Sequence, residues 1–324
     1  SCTDCRRYHV ELRAGRISKD EYRDMEGSIY RSAGHCMVMG TASTMGCILE
    51  ALGMTLPGGG VIPAVDSRRY GLAEDTGRQI VDLVRKDIKP SDIIDVESLE
   101  NAIRVLMAVG GSTNAVVHLI AIAGRLGIGL PMNIFDEISK NTPVLANLKP
   151  SGEYLMEDFY YAGGVSALIR ELGSVMNLDK ITVSGRTLGE EVASAKTFDR
   201  DVIKSLENPL NSDGGLVVLR GNLAPNGAVL KQSAASQHLF RHKGRAVVFE
   251  NYSDMESRVD DPLLDVTEDD VLVLRNIGPK GGPGFPEWGF MPIPQKWVHP
   301  LMVSGHPPFE LFPLLKKIYF QINL

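Results

Sequence analysis

Cysteine is scarce in this chain: four occur in 324 residues, at Cys2, Cys5, Cys36 and Cys47. All lie near the start, which is no framework for a disulfide-stapled secreted fold, so a reducing compartment is expected. The cytoplasm is the expected setting, with a mitochondrial location as the alternative. Excess basic charge is also lacking, since 34 Lys and Arg face 40 Asp and Glu for a net charge of -6. A phosphate backbone would meet repulsion before any specific contact, which argues against nucleic acid as a partner. Long apolar runs are missing too. The stretch from Ala115 to Ala123 is interrupted by His118 and followed by Arg125, short of the roughly 20 residues of a membrane-spanning helix. The chain starts at Ser1 without an initiator Met, a basic segment or an apolar leader, so targeting information is expected to be absent or to lie upstream. Internal repeats and low-complexity tracts are absent.

What is present is core-forming material. A hydrophobic fraction of 44% over 324 residues is enough for two cores. The first half reads as helices between glycine turns. Arg7 to Ala14 is one, and Ser18 with Glu21 forms a capping box before another. Thr41 to Leu52 carries Met45, Ile48, Leu49 and Leu52 at the spacing of a buried face and ends at Gly53. Asp66 and Ser67 cap a longer helix with Ile80, Leu83 and Val84 pointing inward. Glu97 to Val109 gives another, with Ile103, Leu106 and Met107 inside. Gly110-Gly-Ser-Thr-Asn114 opens a further apolar helix whose free N–H groups face whatever the loop encloses.

After about Val175 the pattern turns β-rich, with short runs at Lys180–Val183, Gly215–Leu219, Ala228–Leu230, Arg245–Phe249 and Asp270–Leu274 between Gly, Asn and Asp turns. Asn222 to Gly227 reads as a hairpin connection and Ser253 to Val259 as a short helix. The expected fold class is therefore α/β: a helix-rich N-terminal domain over 1–176 and a smaller β-barrel-like C-terminal domain over 177–296. Residues 297–324, broken by Pro300, Pro307, Pro308 and Pro313, read as an atypical tail.

Several residues have the chemistry of a site. Cys36 sits in a loop entering a helix N-terminus, a setting that favours a thiolate able to bind metal or attack a carbonyl; an inert buried cysteine is the competing reading. Cys47 falls on the buried side of the same helix. Cys2 and Cys5 form a single CxxC with no second pair, a weak metal or redox signal. Glu287 follows a loop stiffened by glycine and proline, Gly278 to Pro286, as a hard-cation ligand would, or else is an ordinary surface acid. Asp66-Ser67-Arg68-Arg69 could grip an anion through a guanidinium fork, or be a solvated helix start. For Tyr154 to Tyr161, aromatic packing with capping acids is the favoured reading. Neither Gly58–Gly60 nor Gly281–Gly284 has the strand, spacing or lysine-hydroxyl ending of a phosphate loop.

Together, Cys36 with Met39-Gly-Thr-Ala-Ser-Thr-Met45, Glu50-Ala-Leu-Gly-Met-Thr-Leu-Pro57, Pro63-Ala-Val-Asp66-Ser-Arg-Arg, Asn101-Ala-Ile-Arg, Gly110-Gly-Ser-Thr-Asn114-Ala, Lys149-Pro-Ser-Gly, Gly221-Asn-Leu-Ala-Pro, Gly244-Arg-Ala-Val-Val-Phe-Glu and Gly278-Pro-Lys-Gly-Gly-Pro-Gly resemble the dihydroxy-acid and phosphogluconate dehydratase family. The match runs in the family's order from about Ser1 to about Lys296. Val65–Arg69 and Tyr154–Gly164 look more like the branch that dehydrates arabinonate or xylonate.

The resemblance implies a hydro-lyase that converts a 2,3-dihydroxy acid to a 2-keto acid, with a [2Fe-2S] cluster and Mg²⁺ as cofactors. Cys36 matches one of three cluster cysteines and Glu287 a magnesium ligand. Asp66, Arg68, Ser112, Thr113 and Asn114 are candidates for substrate binding, and Cys2 and Cys5 become spectators. Two further cluster cysteines, one in a Cys-Asp-Lys motif, and the catalytic serine base have no counterpart here, so the chain reads as truncated at both ends and no catalytic base is assigned. With one thiolate it is expected to retain neither cofactor and to be inactive, with apolar surface uncovered on the Thr41 and Asn114 helices. An intact member is expected to be a homodimer or homotetramer acting on a small sugar acid. A non-catalytic paralogue that pairs with an intact subunit is the alternative.

Overall fold

The computed structural model describes residues 2–29, 32–267, 269–276 and 321–322. They form twelve helices, α1 (Cys2–Arg13), α2 (Lys19–Ile29), α3 (Thr41–Ala51), α4 (Arg68–Arg85), α5 (Pro90–Ile93), α6 (Val96–Ala108), α7 (Asn114–Arg125), α8 (Met132–Ser139), α9 (Met156–Tyr161), α10 (Gly164–Leu172), α11 (Leu188–Val192) and α12 (Tyr252–Arg258). Five short strands accompany them: β1 (Val217–Leu219), β2 (Ala228–Leu230), β3 (Ala246–Phe249), β4 (Val271–Leu274) and β5 (Gln321–Ile322). Two compact units result. One comprises Ser28–Val218 with Lys231–Ser233; the other gathers Asp4–Gly27, Leu219–Leu230 and the described residues from Ala234 on.

The first unit is built around α6. Asp95 starts this helix by accepting from Ser98 N–H at 2.9 Å, while Ser98 Oγ accepts from Asp95 N–H at 2.8 Å, a reciprocal cap that satisfies two backbone donors. Beyond the cap, Leu99, Ala102, Ile103, Val105, Leu106, Met107 and Ala108 are all fully buried. Burial that continues round the helix means partners on several sides, and α3, α7, α8 and α10 supply them. Deeper in α6 the buried polar side chain of Asn101 is satisfied by Asn177, donating to its carbonyl and accepting from its N–H, both at 2.8 Å. Phe159, Val165, Leu168 and Leu172 of α9 and α10 complete the core with Leu145 and Ile203.

Where the expected inward faces depended on periodicity alone, the structure differs in part. On α3 the buried positions are Ser43, Thr44, Cys47, Ile48, Glu50 and Ala51, whereas Leu49 is exposed and Met45 half-buried. On α4, Leu83 is buried but Ile80 and Val84 are exposed. Periodicity identifies an apolar stripe, but only a packed neighbour buries it. The uncovered surface expected on the helices at Thr41 and Asn114 is limited to single large side chains, Leu49 and Ile120. Lys180–Val183 is no strand; Ile181 makes an isolated bridge to Thr187, and the segment lies in the first unit.

In the second unit, Ser18 and Glu21 form the anticipated capping box, with Ser18 N–H donating to Glu21 at 2.7 Å and Glu21 N–H to Ser18 at 3.1 Å. Cys5 lies within α1, its Sγ 3.5 Å from the Tyr22 hydroxyl. Residues Gly221–Gly227 close a turn through Ala224 N–H to Gly221 O and Gly227 N–H to Ala224 O, each 3.1 Å. β2 pairs antiparallel with β5, and β3 pairs parallel with β4 from Ala246–Val271 to Phe249–Leu274. The parallel pair needs a crossover, which α12 provides; Val247, Phe249, Met255, Val259 and Val266 pack beneath it. Among the described residues these strands form small sheets and no closed barrel. Also among them, no helix is long and apolar enough to cross a membrane.

Two outcomes follow from this packing. Phe159→Ala removes a fully buried ring from the larger core, and chemical denaturation should show a loss of about 3–5 kcal/mol. In the second unit, Arg245 donates to both oxygens of nearly buried Asp270, at 3.2 and 2.8 Å, and Thr267 N–H adds a third donor at 2.8 Å. These bonds hold the Asp270 carboxyl down at about 2. A depressed carboxyl stabilises the fold above its unfolded value of about 4, and the contribution is lost as pH falls toward the folded value. Asp270→Asn should therefore be less stable than wild type at neutral pH, with the gap closing between about pH 4 and about pH 2 in thermal melts followed by circular dichroism.

Candidate functional site

Two helix starts meet in the first unit. Gly40, in extended conformation, caps α3 without a side-chain bond, so the first-turn N–H groups of α3 have no side-chain cap and keep the partial positive character of a helix N-terminus. Beside it stands the start of α7. Thr44 Oγ joins the two, donating to Gly40 O at 2.7 Å and accepting from Ser112 N–H at 3.0 Å. One turn earlier, the Thr41 and Ser112 hydroxyls share a hydrogen bond of 3.1 Å, and Asn114 Nδ2 donates to Thr41 Oγ1 at 2.9 Å. Asn114 N–H reaches Ser112 Oγ at 3.3 Å. This leaves Asn114 Oδ1, itself buried, with no hydrogen-bond partner. A buried acceptor without a partner carries a desolvation cost of about 1–3 kcal/mol, which a ligand hydroxyl would remove. Gly111 is required here because a methyl at this position would lie 2.6 Å from Leu106 Cδ1 and 2.7 Å from Thr44 Cγ2.

Cys36 is half-buried in the loop that leads into α3. That loop is held from both sides: Met39 N–H donates to Lys149 O and Met156 N–H to Met37 O, each at 2.8 Å, and Ser43 Oγ donates to Val38 O at 2.7 Å. His35 Nδ1 lies 2.7 Å from Cys36 O and 3.3 Å from Ser43 Oγ. Cys47, by contrast, is fully buried, and burial pushes its thiol far above the ordinary range, as an inert core cysteine requires.

Asp66 and Arg68 form a separate cluster. Arg68 Nε donates to Asp66 Oδ1 at 2.8 Å, its second fork nitrogen bonds Oδ2, and its backbone N–H adds a bond of 2.9 Å. These hold the Asp66 carboxyl at about 2. The guanidinium also lies over Tyr160 and Tyr161, 4.8 and 5.6 Å from their ring centres, a cation–π contact with two neighbouring rings that meet edge to face. Asp158 caps α9 by accepting from Leu155 N–H at 2.8 Å, so the acid serves structure while the two tyrosines hold Arg68. The cluster touches the thiol loop through Gly34, where a methyl would lie 3.1 Å from Ala64 Cβ.

Of the residues singled out by sequence, Ser112 and Asn114 are brought into one network. Thr113 is the half-buried N-cap of α7 and makes no side-chain cap bond. Asp66 and Arg68 pair with one another, and Glu287 lies outside the described residues. Thr41, Thr44 and Glu50 were not singled out. Their signal was hydroxyls three apart in a first helical turn and a lone acid on an otherwise apolar face. Among the described residues no group of three His, Cys, Asp or Glu could hold a metal ion. Among the described residues, Cys36 thus stands as a half-buried thiol with no grouped His, Cys, Asp or Glu beside it that could complete a metal site.

Residues 1–191 match the family described as dihydroxy-acid/6-phosphogluconate dehydratase N-terminal, and residues 201–302 match its C-terminal counterpart. An L-arabinonate dehydratase of Rhizobium leguminosarum is 50% identical over 287 residues, 88% of this chain and 50% of that protein. An L-arabonate dehydratase of Azospirillum brasilense is 49% identical over 291 residues, 89% of this chain and 50% of its own length. A dihydroxy-acid dehydratase of Caldicellulosiruptor saccharolyticus is 48% identical over 278 residues, 85% and 50% respectively. The chain thus spans about half the length of the curated relatives it matches, and it belongs to the dihydroxy-acid/6-phosphogluconate dehydratase family.

Proposed function

We propose that this chain forms the substrate-binding and thiolate-bearing wall of a hydro-lyase that removes water from a 2,3-dihydroxy sugar acid to give a 2-keto-3-deoxy acid. The observation that carries this reading is the joined start of α3 and α7. Uncapped N–H groups and the Thr41 and Ser112 hydroxyls suit a carboxylate, and the unpartnered Asn114 Oδ1 suits a sugar hydroxyl. An aldonic acid carries both groups, and relatives named for arabinonate support that class. Arg68 is proposed to add cationic charge; with its fork engaged by Asp66 and its guanidinium packed on two adjacent tyrosines, it acts as an oriented charge. Thr113, at the start of α7, is a further proposed substrate contact.

A [2Fe-2S] cluster with Mg²⁺ is the proposed cofactor pair of the whole enzyme, supplying Lewis-acid assistance to loss of the hydroxyl. Cys36 is the proposed single thiolate contribution of this chain, and Glu287 the proposed magnesium ligand. One thiolate is too few for a cluster, so the chain by itself is proposed to be inactive. A homodimer or homotetramer in the cytoplasm is the proposed form of the complete protein.

Calorimetry of the chain with L-arabinonate, D-xylonate and a branched-chain 2,3-dihydroxy acid tests the substrate class. The two aldonates should bind more tightly, and equal or stronger binding of the branched acid would sink the aldonate reading. Asn114→Ala and Thr41→Val should each weaken aldonate binding by about tenfold or more, the worth of one buried hydrogen bond. Leu49→Ala, on the exposed side of α3, should leave it unchanged.

A further inference from the structure

Glu50 is a carboxylate that the substrate reading does not use, and it is almost wholly buried, at 2% exposure, in the last turn of α3. Gly58 N–H donates to Oε1 at 3.0 Å, Ser166 Oγ donates to the same oxygen at 2.9 Å, and Gly60 N–H reaches Oε2 at 3.4 Å. These partners are neutral. Burying a carboxylate with neutral donors alone is costly, so the bonds it makes must hold something in place. What they hold is the turn at Pro57–Gly60. The turn lies backbone to backbone on α3, since a methyl on Gly60 would stand 2.2 Å from Gly46 O and one on Gly46 2.5 Å from Gly60 O. Two glycines permit this approach, and the carboxylate reaches across it from one turn further along the helix.

From that turn the chain runs without slack to the arginine cluster. Val61 N–H and Ile62 N–H both donate to Gly58 O at 3.2 Å, the Arg69 guanidinium caps Ile62 O, and Asp66 N–H donates to Pro63 O at 3.0 Å. Between these points Ala64 rests against Gly34 of the thiol loop. On the opposite side, Ser166 belongs to α10, and Gly164 of the same helix admits Val61. Glu50 therefore joins three pieces: the helix that follows Cys36, the segment that presents Asp66 and Arg68, and the core helix α10.

We propose that Glu50 is a positioning residue, whose carboxylate pins the Pro57–Gly60 turn to α3 and α10 and so fixes where Asp66 and Arg68 stand beside the Cys36 loop. Its effect on ligand binding rests on the reading that those residues border the sugar acid. The titratable groups facing it are Cys47 on its own helix and Glu191 on α11; burial pushes the Glu50 carboxyl upward, and the two backbone donors with the Ser166 hydroxyl oppose that.

Hydrogen exchange on the full chain, wild type against Glu50→Gln, tests this. The amide turns a donor toward a site that already supplies donors. Peptides covering residues 57–69 should exchange about tenfold faster, with those of α6 unchanged, and L-arabinonate should bind about tenfold more weakly. In the wild type, protection of 57–69 beyond intrinsic exchange should vary with pH, and in Glu50→Gln it should not, a signature that loss of packing alone would not produce. Unchanged exchange over 57–69, equal acceleration in α6, or undiminished L-arabinonate binding in Glu50→Gln would each overturn the proposal. If Glu50→Gln does not fold, Ser166→Ala removes one donor and retains the carboxylate, and its exchange over 57–69 is held to the same criterion. A wild-type chain that fails to bind L-arabinonate sinks the substrate reading, while the exchange comparison still decides whether Glu50 pins the turn.

Discussion

The site depends on one hydroxyl. Thr44, fully buried, donates to the carbonyl at the start of α3 and accepts from the N–H of Ser112 before α7. A hydroxyl both donates and accepts, so a single side chain can join a helix start that offers a carbonyl to a loop that offers an amide. A valine of the same shape would pack and leave Gly40 O its bond from the residue 44 backbone N–H, but would take away the acceptor of the Ser112 N–H. Because of this bond, Thr41, Ser112 and Asn114 lie within hydrogen-bonding reach of one another, and the dipoles of two helices of eleven and twelve residues begin side by side.

The rest of the first unit keeps that junction still. α6, buried except at its start and along Glu97, Glu100 and Arg104, gives α3 and α7 a common surface that holds the two starts together. The Cys36 loop is tied to backbone on either side of it, at Lys149 and Met156, which places the residue that carries the thiol. Glu50 extends the same logic to the segment carrying Asp66 and Arg68. Polar groups are buried at these joints, and nearly all find partners. Among the described residues of these joints, Arg69 Nε and Asn114 Oδ1 are exceptions, the latter at the place where a ligand is proposed.

Much of this was legible in the residues. The capping box at Ser18, the helix through Leu106, the short strands at 228–230, 246–249 and 271–274 and the loop before Asn114 follow from local rules of capping, periodicity and turn chemistry, which act within a few residues and need no partner. Family membership was legible for a different reason: many modest segments in a fixed order are specific as a set. Less legible were the faces. Ile80 and Val84 repeat at helical spacing yet stand exposed, and Lys180–Val183 has strand composition yet forms one bridge, since a stripe or strand is completed by its neighbour.

The sequence by itself therefore determined the class of protein, most helices and the loops on which Cys36, Asp66 and Ser112 stand. Only the tertiary structure decided that Arg68 is held by Asp66 and two tyrosines, that Thr41 and Thr44 join Ser112 and Asn114, and that a glutamate at a helix end pins a turn eight to ten residues away. These are pairings between polar groups up to 116 positions apart along the chain. Short-range rules of backbone and hydrophobic pattern do not encode such pairings, because a polar side chain is compatible with solvent until packing removes the solvent and leaves it one available partner.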